Sequence, residues 1–281
     1  MIPFSRKRVR RVLPGLGLSL GITLFYLTLI ILIPILALIL SGAGIGFERF
    51  IRIVTSARTL GAFKITILAA LAATVINAFY GLLMAWVLTR YEFRGKAALD
   101  ALVDIPFALP TAVAGLSLTA LFSANGWFGA PLAALGIEVV YTIWGIIIAM
   151  AFTSVPFMVR AVQPVLEDLD PALEEAAKTL GATPWQTFTR VTLPAILPAW
   201  LGGCTVSMAR SLGEFGAVVF IAGNLPGKTE IASLLAFIRL EEYDYRGAAA
   251  IALCLLVLAL LLLLISNLFQ IRAAKYRDAN A

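Results

Sequence analysis

Arg210 and Glu214 stand four residues apart inside an otherwise apolar run, with Ser207, Ser211, Gly213 and Gly216 around them. At that spacing two helical side chains share a face, and ionisable groups within a membrane span normally turn toward a bundle interior or a cavity. Two kinds of chemistry fit. One is a structural ion pair that knits helices together. The other is a path for an anion, in which Arg210 supplies the positive charge, Glu214 orients it, and Ser207 and Ser211 lie beside it. The small residues nearby permit close helix approach or leave room for water.

Little else in the chain promises chemistry. The sequence contains no histidine, so imidazole bases, imidazole metal ligands and histidine proton relays are excluded. No Ser/Lys, Asp/Asp or metal-ligand cluster falls at usable spacing within the apolar runs, so neither enzymatic activity nor a cofactor or metal is expected. The stretch Gly223-Asn224-Leu225-Pro226-Gly227-Lys228-Thr229 imitates a phosphate-binding loop. That loop needs a glycine five residues before Gly227, and Ala222 occupies the position; no apolar strand precedes it either. An Asn-Leu-Pro-Gly turn is the better reading.

Composition sets the class. The 281 residues are 61% hydrophobic and 14% charged, with mean hydropathy +0.96; soluble chains average about 45–50% and about 25%. The expected fold is all-α and integral to a membrane, with one domain because its helices must share a bundle. The net charge of +6 is no nucleic-acid footprint, since the cations gather at the ends of apolar runs, as they do on cytoplasmic faces. Cys204 and Cys254 lie inside apolar runs and read as free thiols.

Six spans are expected, over residues 13–40, 64–88, 99–122, 139–159, 194–222 and 248–271. The first is too long for the apolar core of a signal peptide, about 7–15 residues, so residues 1–12 read as a basic cytoplasmic N-terminus and 272–281 as a cytoplasmic tail. Pro34 should kink the first span. Pro106 and Pro110 should be absorbed within a continuous third span, and Asn77 and Tyr80 should be polar interior members of the second. Residues 123–138 hold no Lys or Arg, which suits the outer face, and 223–247 read as an outer loop. The loop 41–63, with Arg49, Arg52 and Arg58, argues against this orientation, and the other loops outvote it. The last span is nearly pure Ala, Leu and Ile, as suits lipid contact.

One long polar segment, 170–194, interrupts the second half. Asp170 before Pro171 reads as an N-cap with proline in the first helical position. Glu174 and Glu175 fall in the first turn, where acids complement the helix dipole. Gly181 stops the helix. Thr183, Pro184 and Gln186 then open a second helix with a capping box, and Pro194 closes the segment. Two short helices with a glycine elbow result.

Glu175-Ala176-Ala177, Gly181 and the run Val191 to Leu193-Pro194 resemble the EAA loop of ABC importer permeases, though that family more often has Ile where Val191 stands. The resemblance implies a type I importer bundle of six spans. It places the loop, residues 162–194, on the cytoplasmic face, where its short helix docks in a cleft of an ATPase subunit. Glu175, Ala176, Ala177, Gly181, Thr183, Pro184, Leu193 and Pro194 are the coupling candidates. The small face formed by Ala176, Ala177 and Gly181 allows close approach, and Glu175 offers a charge. More widely, residues 86–117, 162–171 and 220–252 look like the T-type sulfate/thiosulfate permeases. Molybdate permeases share the ARSLGEFGA and AGNLPGKT stretches but are less similar over 238–245.

The resemblance therefore implies a non-catalytic permease subunit of an inner-membrane importer of sulfate, with thiosulfate as a further candidate, and with both termini cytoplasmic. Implied partners are two copies of an ATPase, a second, W-type permease, an extracytoplasmic sulfate-binding protein and the lipid bilayer, with no nucleic acid. A molybdate or tungstate importer working as a homodimer is the alternative. A secondary carrier, which needs no ATPase, would be expected to show internal repeats and ionisable relays within its spans; neither is clear in this chain.

Overall fold

The computed structural model describes residues 16–278, and among these it is built of helices without strands. The basic residues of 1–12 lie outside the described residues. The first span, α1, runs Leu16–Ala43. It contains a π turn at Thr28–Leu32, two residues before Pro34. Proline lacks an N–H and crowds the carbonyl four residues back; a widened turn absorbs both defects. The expected kink is thus a π turn in an uninterrupted helix.

A short helix, α2 (Phe47–Val54), and a second span, α3 (Ala57–Arg90), follow. The span starts earlier than expected because Ser56 caps it, accepting from Thr59 N. The third span departs most from expectation. It is two helices, α4 (Lys96–Ala108) and α5 (Thr111–Phe122), bent by 114°. Pro106 sits within α4 as expected. Pro110 does not, because the residue before a proline is pushed out of the helical region, and Leu109 adopts φ −78°, ψ 130°.

After the short α6 (Gly129–Ala134) comes α7 (Ile143–Glu167), which extends past its expected end at 159. The elbow helix α8 (Pro171–Thr179) leads to α9, which runs Pro184–Leu212. Pro194 therefore closes the polar segment without interrupting the helix. A second π turn, Phe188–Thr192, precedes it at the spacing seen before Pro34. The fifth span also stops early. Residues 213–215 break the helix, and α10 (Gly216–Ile221) is a separate short element. The loop 223–247, expected on the outer face, holds a helix, α11 (Ala232–Glu241), whose Leu234 and Leu235 are buried. Finally α12 (Tyr245–Asp278) takes in residues 272–278 that read as a tail. Its first turns are not lipid-facing: Ala248 to Ile251 are buried.

The core is the trio α3, α7 and α9. Small residues let them approach, as they do wherever helices pack in lipid. Met158 of α7 fills the space over Gly81 of α3 and Gly203 of α9, where a Cβ would stand 2.6 Å from its Cγ and its Sδ respectively. Asn77 ties the trio together. Its Nδ2 donates to Ser154 Oγ at 2.8 Å, Ala151 O at 3.1 Å and Ser207 Oγ at 3.2 Å. Tyr80 is not an interior member; it is exposed on the outer face of α3. On the other side of the bundle α5 packs on α10, with Gly115 against the backbone of Ala217.

Candidate functional site

The elbow between α8 and α9 satisfies its own backbone. Asp170 Oδ1 accepts from Ala172 N at 2.9 Å, and Pro171 occupies the first helical position. At the other end Gly181 sits at φ +83°. Its N–H donates to Lys178 O and that of Ala182 to Ala177 O, both at 3.0 Å, the paired bonds of a Schellman motif. Thr183 and Gln186 then exchange their bonds: Thr183 N donates to Gln186 Oε1 at 2.9 Å and Gln186 N to Thr183 Oγ1 at 3.3 Å. With these donors and acceptors paired, the turn holds its shape at a surface.

The base of the elbow is clamped to the bundle. Glu174 Oε1 accepts from Arg90 Nη2 at 2.7 Å and from the buried Thr192 Oγ1 at 2.9 Å. The Arg90 guanidinium lies 5.5 Å from the Trp86 ring centroid, within cation–π range. Trp86 meets Phe188 edge-on at 5.3 Å, and Trp185 stacks on Phe188 at 5.8 Å. These bonds tie α8 to the last residue of α3 and to the early turns of α9.

The tip faces outward. Glu175, Ala176, Gly181, Thr183 and Pro184 are exposed, and Ala177 is half-buried. Leu193 and Pro194 lie back in the body of α9. Two tip residues escaped the sequence reading: Leu180 is 88% exposed and Trp185 72%, large apolar side chains beside the turn. The carboxylate that anchors the elbow is Glu174, and its neighbour Glu175 is exposed. Which of two adjacent acids turns inward depends on where Arg90 arrives, and that is not a local property.

Within the membrane region Arg210 and Glu214 do pair, Nη1 to Oε2 at 2.8 Å. Glu214 lies in the break between α9 and α10 with its side chain 1% exposed, while that of Arg210 is 30% exposed. Glu214 Oε1 also accepts from Ala217 N at 2.9 Å, and its backbone oxygen accepts from Ser233 Oγ at 2.8 Å. One acid therefore joins α9, α10 and the start of α11. Ser207 and Ser211 have a different role. Both are fully buried; Ser207 accepts from Asn77, and Ser211 Oγ donates to Ser154 Oγ at 3.1 Å. Arg210 is the member of the set with surface to spare.

A second charge cluster was missed. Arg160 uses all five of its N–H donors. Nε and Nη2 bind Asp104 at 2.9 and 2.6 Å, Nη1 binds Asp100 Oδ1 at 2.7 Å and Gln163 Oε1 at 2.6 Å, and Nη2 also binds Asp100 O at 3.1 Å. This fork holds α4 against α7 below the 114° bend. The available signal was Asp100 and Asp104 at i and i+4, with a lone Arg in the following span. Removing one member of a buried charge group costs about 3–5 kcal/mol. The cluster is partly exposed, so Arg160→Leu should cost less, about 2 kcal/mol, read as a lower melting temperature of the detergent-purified protein. Adding Asp100→Asn and Asp104→Asn should restore most of it.

The phosphate-loop imitation is a turn. Gly223, Asn224 and Gly227 take positive φ, and Lys228, Thr229 and Glu230 all donate their N–H to Leu225 O. Its Glu230 is fully buried and held by Arg58, Nη2 to Oε1 at 2.7 Å. Among the described residues no group of three His, Cys, Asp or Glu could hold a metal ion.

Known proteins match this chain along most of its length. Residues 77–275 match the family described as binding-protein-dependent transport system inner membrane component. The sulfate transport system permease protein CysT of Escherichia coli (strain K12) is 56% identical over 243 residues, 86% of this chain and 88% of that protein. The protein of the same name from Synechococcus elongatus (strain ATCC 33912 / PCC 7942 / FACHB-805) is 46% identical over 264 residues, 94% of this chain and 95% of that one. A bacterial ABC transporter involved in the import of the acidic polysaccharide alginate shares the fold, with a TM-score of 0.74 over 92% of this chain and 95% of that chain at 20% identity. Five helices long and apolar enough to cross a membrane, with the bent pair α4 and α5 as a sixth span, are therefore the type I ABC importer bundle, and the chain belongs to the family of binding-protein-dependent transport system inner membrane components.

Proposed function

We propose that the chain is the permease subunit of an ATP-driven importer of sulfate, and that it also carries thiosulfate. One observation carries the choice of anion: identity of 56% to a sulfate transport system permease protein over 86% of this chain. Sulfate needs a driven route. With the cell interior negative, two charges moving inward cost about 4.6 kcal/mol per 100 mV, at about 2.3 per charge, and accumulation adds to this. A dianion in dry hydrocarbon would cost far more, so its path must be hydrated or lined with donors.

The chain hydrolyses nothing. Its elbow, with Glu175, Ala176, Ala177, Gly181, Thr183 and Pro184 at or beside the exposed tip and Leu193 and Pro194 behind, docks on one of two ATPase subunits at the cytoplasmic face. Closure of the ATPase pair draws the elbows together. The clamp from Glu174 to Arg90 and Thr192 then tilts α3 and α9, and a central cavity changes the side to which it opens. A W-type permease completes that cavity, and an extracytoplasmic sulfate-binding protein delivers the anion. Arg210 lines the path with the exposed part of its guanidinium, Glu214 fixes its orientation, and Ser207 and Ser211 hold the surrounding helices in place. Both termini are cytoplasmic.

Cells lacking this chain should take up labelled sulfate only when it is restored, and excess molybdate should leave that uptake unchanged. Molybdate competing better than sulfate, or a purified complex with two copies of this chain and no second permease, would favour the molybdate or tungstate homodimer instead.

A further inference from the structure

A cavity of about 670 Å³ opens between α1, α11 and the start of α12, at the end of the bundle remote from the elbow. Ser41, Gly44, Phe237, Leu240, Ala249 and Ala252 are among its lining residues, as are Tyr245 and Arg246. From this groove we infer a binding site for one anionic phospholipid, its acyl chain in the groove and its phosphate on Arg246.

Three observations support the assignment. First, α1 needs something there. The apolar stretch of this 28-residue span is 0% buried, and it meets α12 at Gly42, where a Cβ would stand 2.8 Å from Leu253 Cδ2. A void of that size beside an apolar helix forfeits dispersion contacts on every wall, and in a bilayer the molecule at hand to fill it is an acyl chain. Second, the groove has the polarity of a lipid. The lining is apolar and small-residue along α1 and α12, with the only cation of the lining at the first turn of α12. Third, that cation is unused. Arg246 is exposed and forms no hydrogen bond or ion pair with the described residues. A guanidinium binds phosphate oxygens through charge-assisted hydrogen bonds, and a tyrosine at that level adds a hydroxyl donor. The inference does not depend on which anion the permease carries.

The test is native mass spectrometry of the intact transport complex, purified in detergent and offered phosphatidylglycerol or phosphatidylcholine of matched chains. The complex should retain phosphatidylglycerol preferentially, and inorganic phosphate should not displace it. Arg246→Gln should lower retention about fivefold, equivalent to about 1 kcal/mol. Ser41→Trp, which fills the groove from an exposed position, should abolish retention of both lipids. Arg94→Gln, an exposed cation at the opposite end, should change nothing. The inference fails if Arg246→Gln and Ser41→Trp retain lipid like the parent, if Arg94→Gln loses as much as Arg246→Gln, or if phosphate alone competes. It also fails if a photo-crosslinker at Ser41 captures the second permease and no lipid.

Discussion

Replacing Gly181 with proline should abolish sulfate uptake while the protein still inserts in the membrane. Gly181 holds φ +83° and donates its N–H to Lys178 O. Proline fixes φ near −65° and has no N–H, so both features are lost, at about 3 kcal/mol or more. At about 1.4 kcal/mol per tenfold, the folded elbow becomes more than about a hundredfold rarer. No side chain crowds the position, so Gly181→Ala meets only the left-handed backbone penalty of about 1–2 kcal/mol and should retain a measurable fraction of uptake. The two variants separate geometry from bulk. Uptake assays with membrane-fraction immunoblots decide the matter: normal uptake by inserted Gly181→Pro would end the assignment of the elbow as the force-bearing contact.

Glu214→Ala should be the most destabilising single change in the membrane region. It strands Arg210 next to a buried break and removes the acceptor for Ala217 N. Breaking a buried pair costs about 3–5 kcal/mol, and the part-exposed Arg210 places this one toward the lower end. Glu214→Gln keeps an acceptor for Ala217 N and should lose less. The informative variant is Arg210→Leu with Glu214→Leu. Replacing both partners of a buried pair by apolar residues is often neutral for stability, so the melting temperature should recover. Uptake should not, if Arg210 lines the path as proposed. Recovery of both would make the pair purely structural and remove Arg210 from the path.

Much of the fold was open to a reader of the sequence because it depends on local chemistry. Apolar runs long enough for a bilayer marked the spans. Asp170-Pro171, Gly181 and the Thr183 capping box placed the elbow, since caps and stops are decided within four residues. Proline showed the limit of that reasoning. Pro34 and Pro194 sit in uninterrupted helices with a π turn before each, while Pro110 marks a 114° bend. The missing N–H is the same in all three. What differs at Pro110 is the packing beyond it, since α5 lies against α10.

The candidate sites divide in the same way. Sequence alone marked the two-helix elbow and the i, i+4 pair of Arg210 and Glu214, because both are matters of short spacing. Only the tertiary structure decided that Glu174 anchors the elbow and Glu175 does not, that Ser207 and Ser211 serve the Asn77 network, and that Arg160 holds α4 through two aspartates 56 and 60 residues away. A capping bond is settled within one turn, where the chain itself holds donor and acceptor together. A charge or an amide in the bilayer must find its partner on another helix, and which helix arrives beside it is set by the packing of small residues across the bundle.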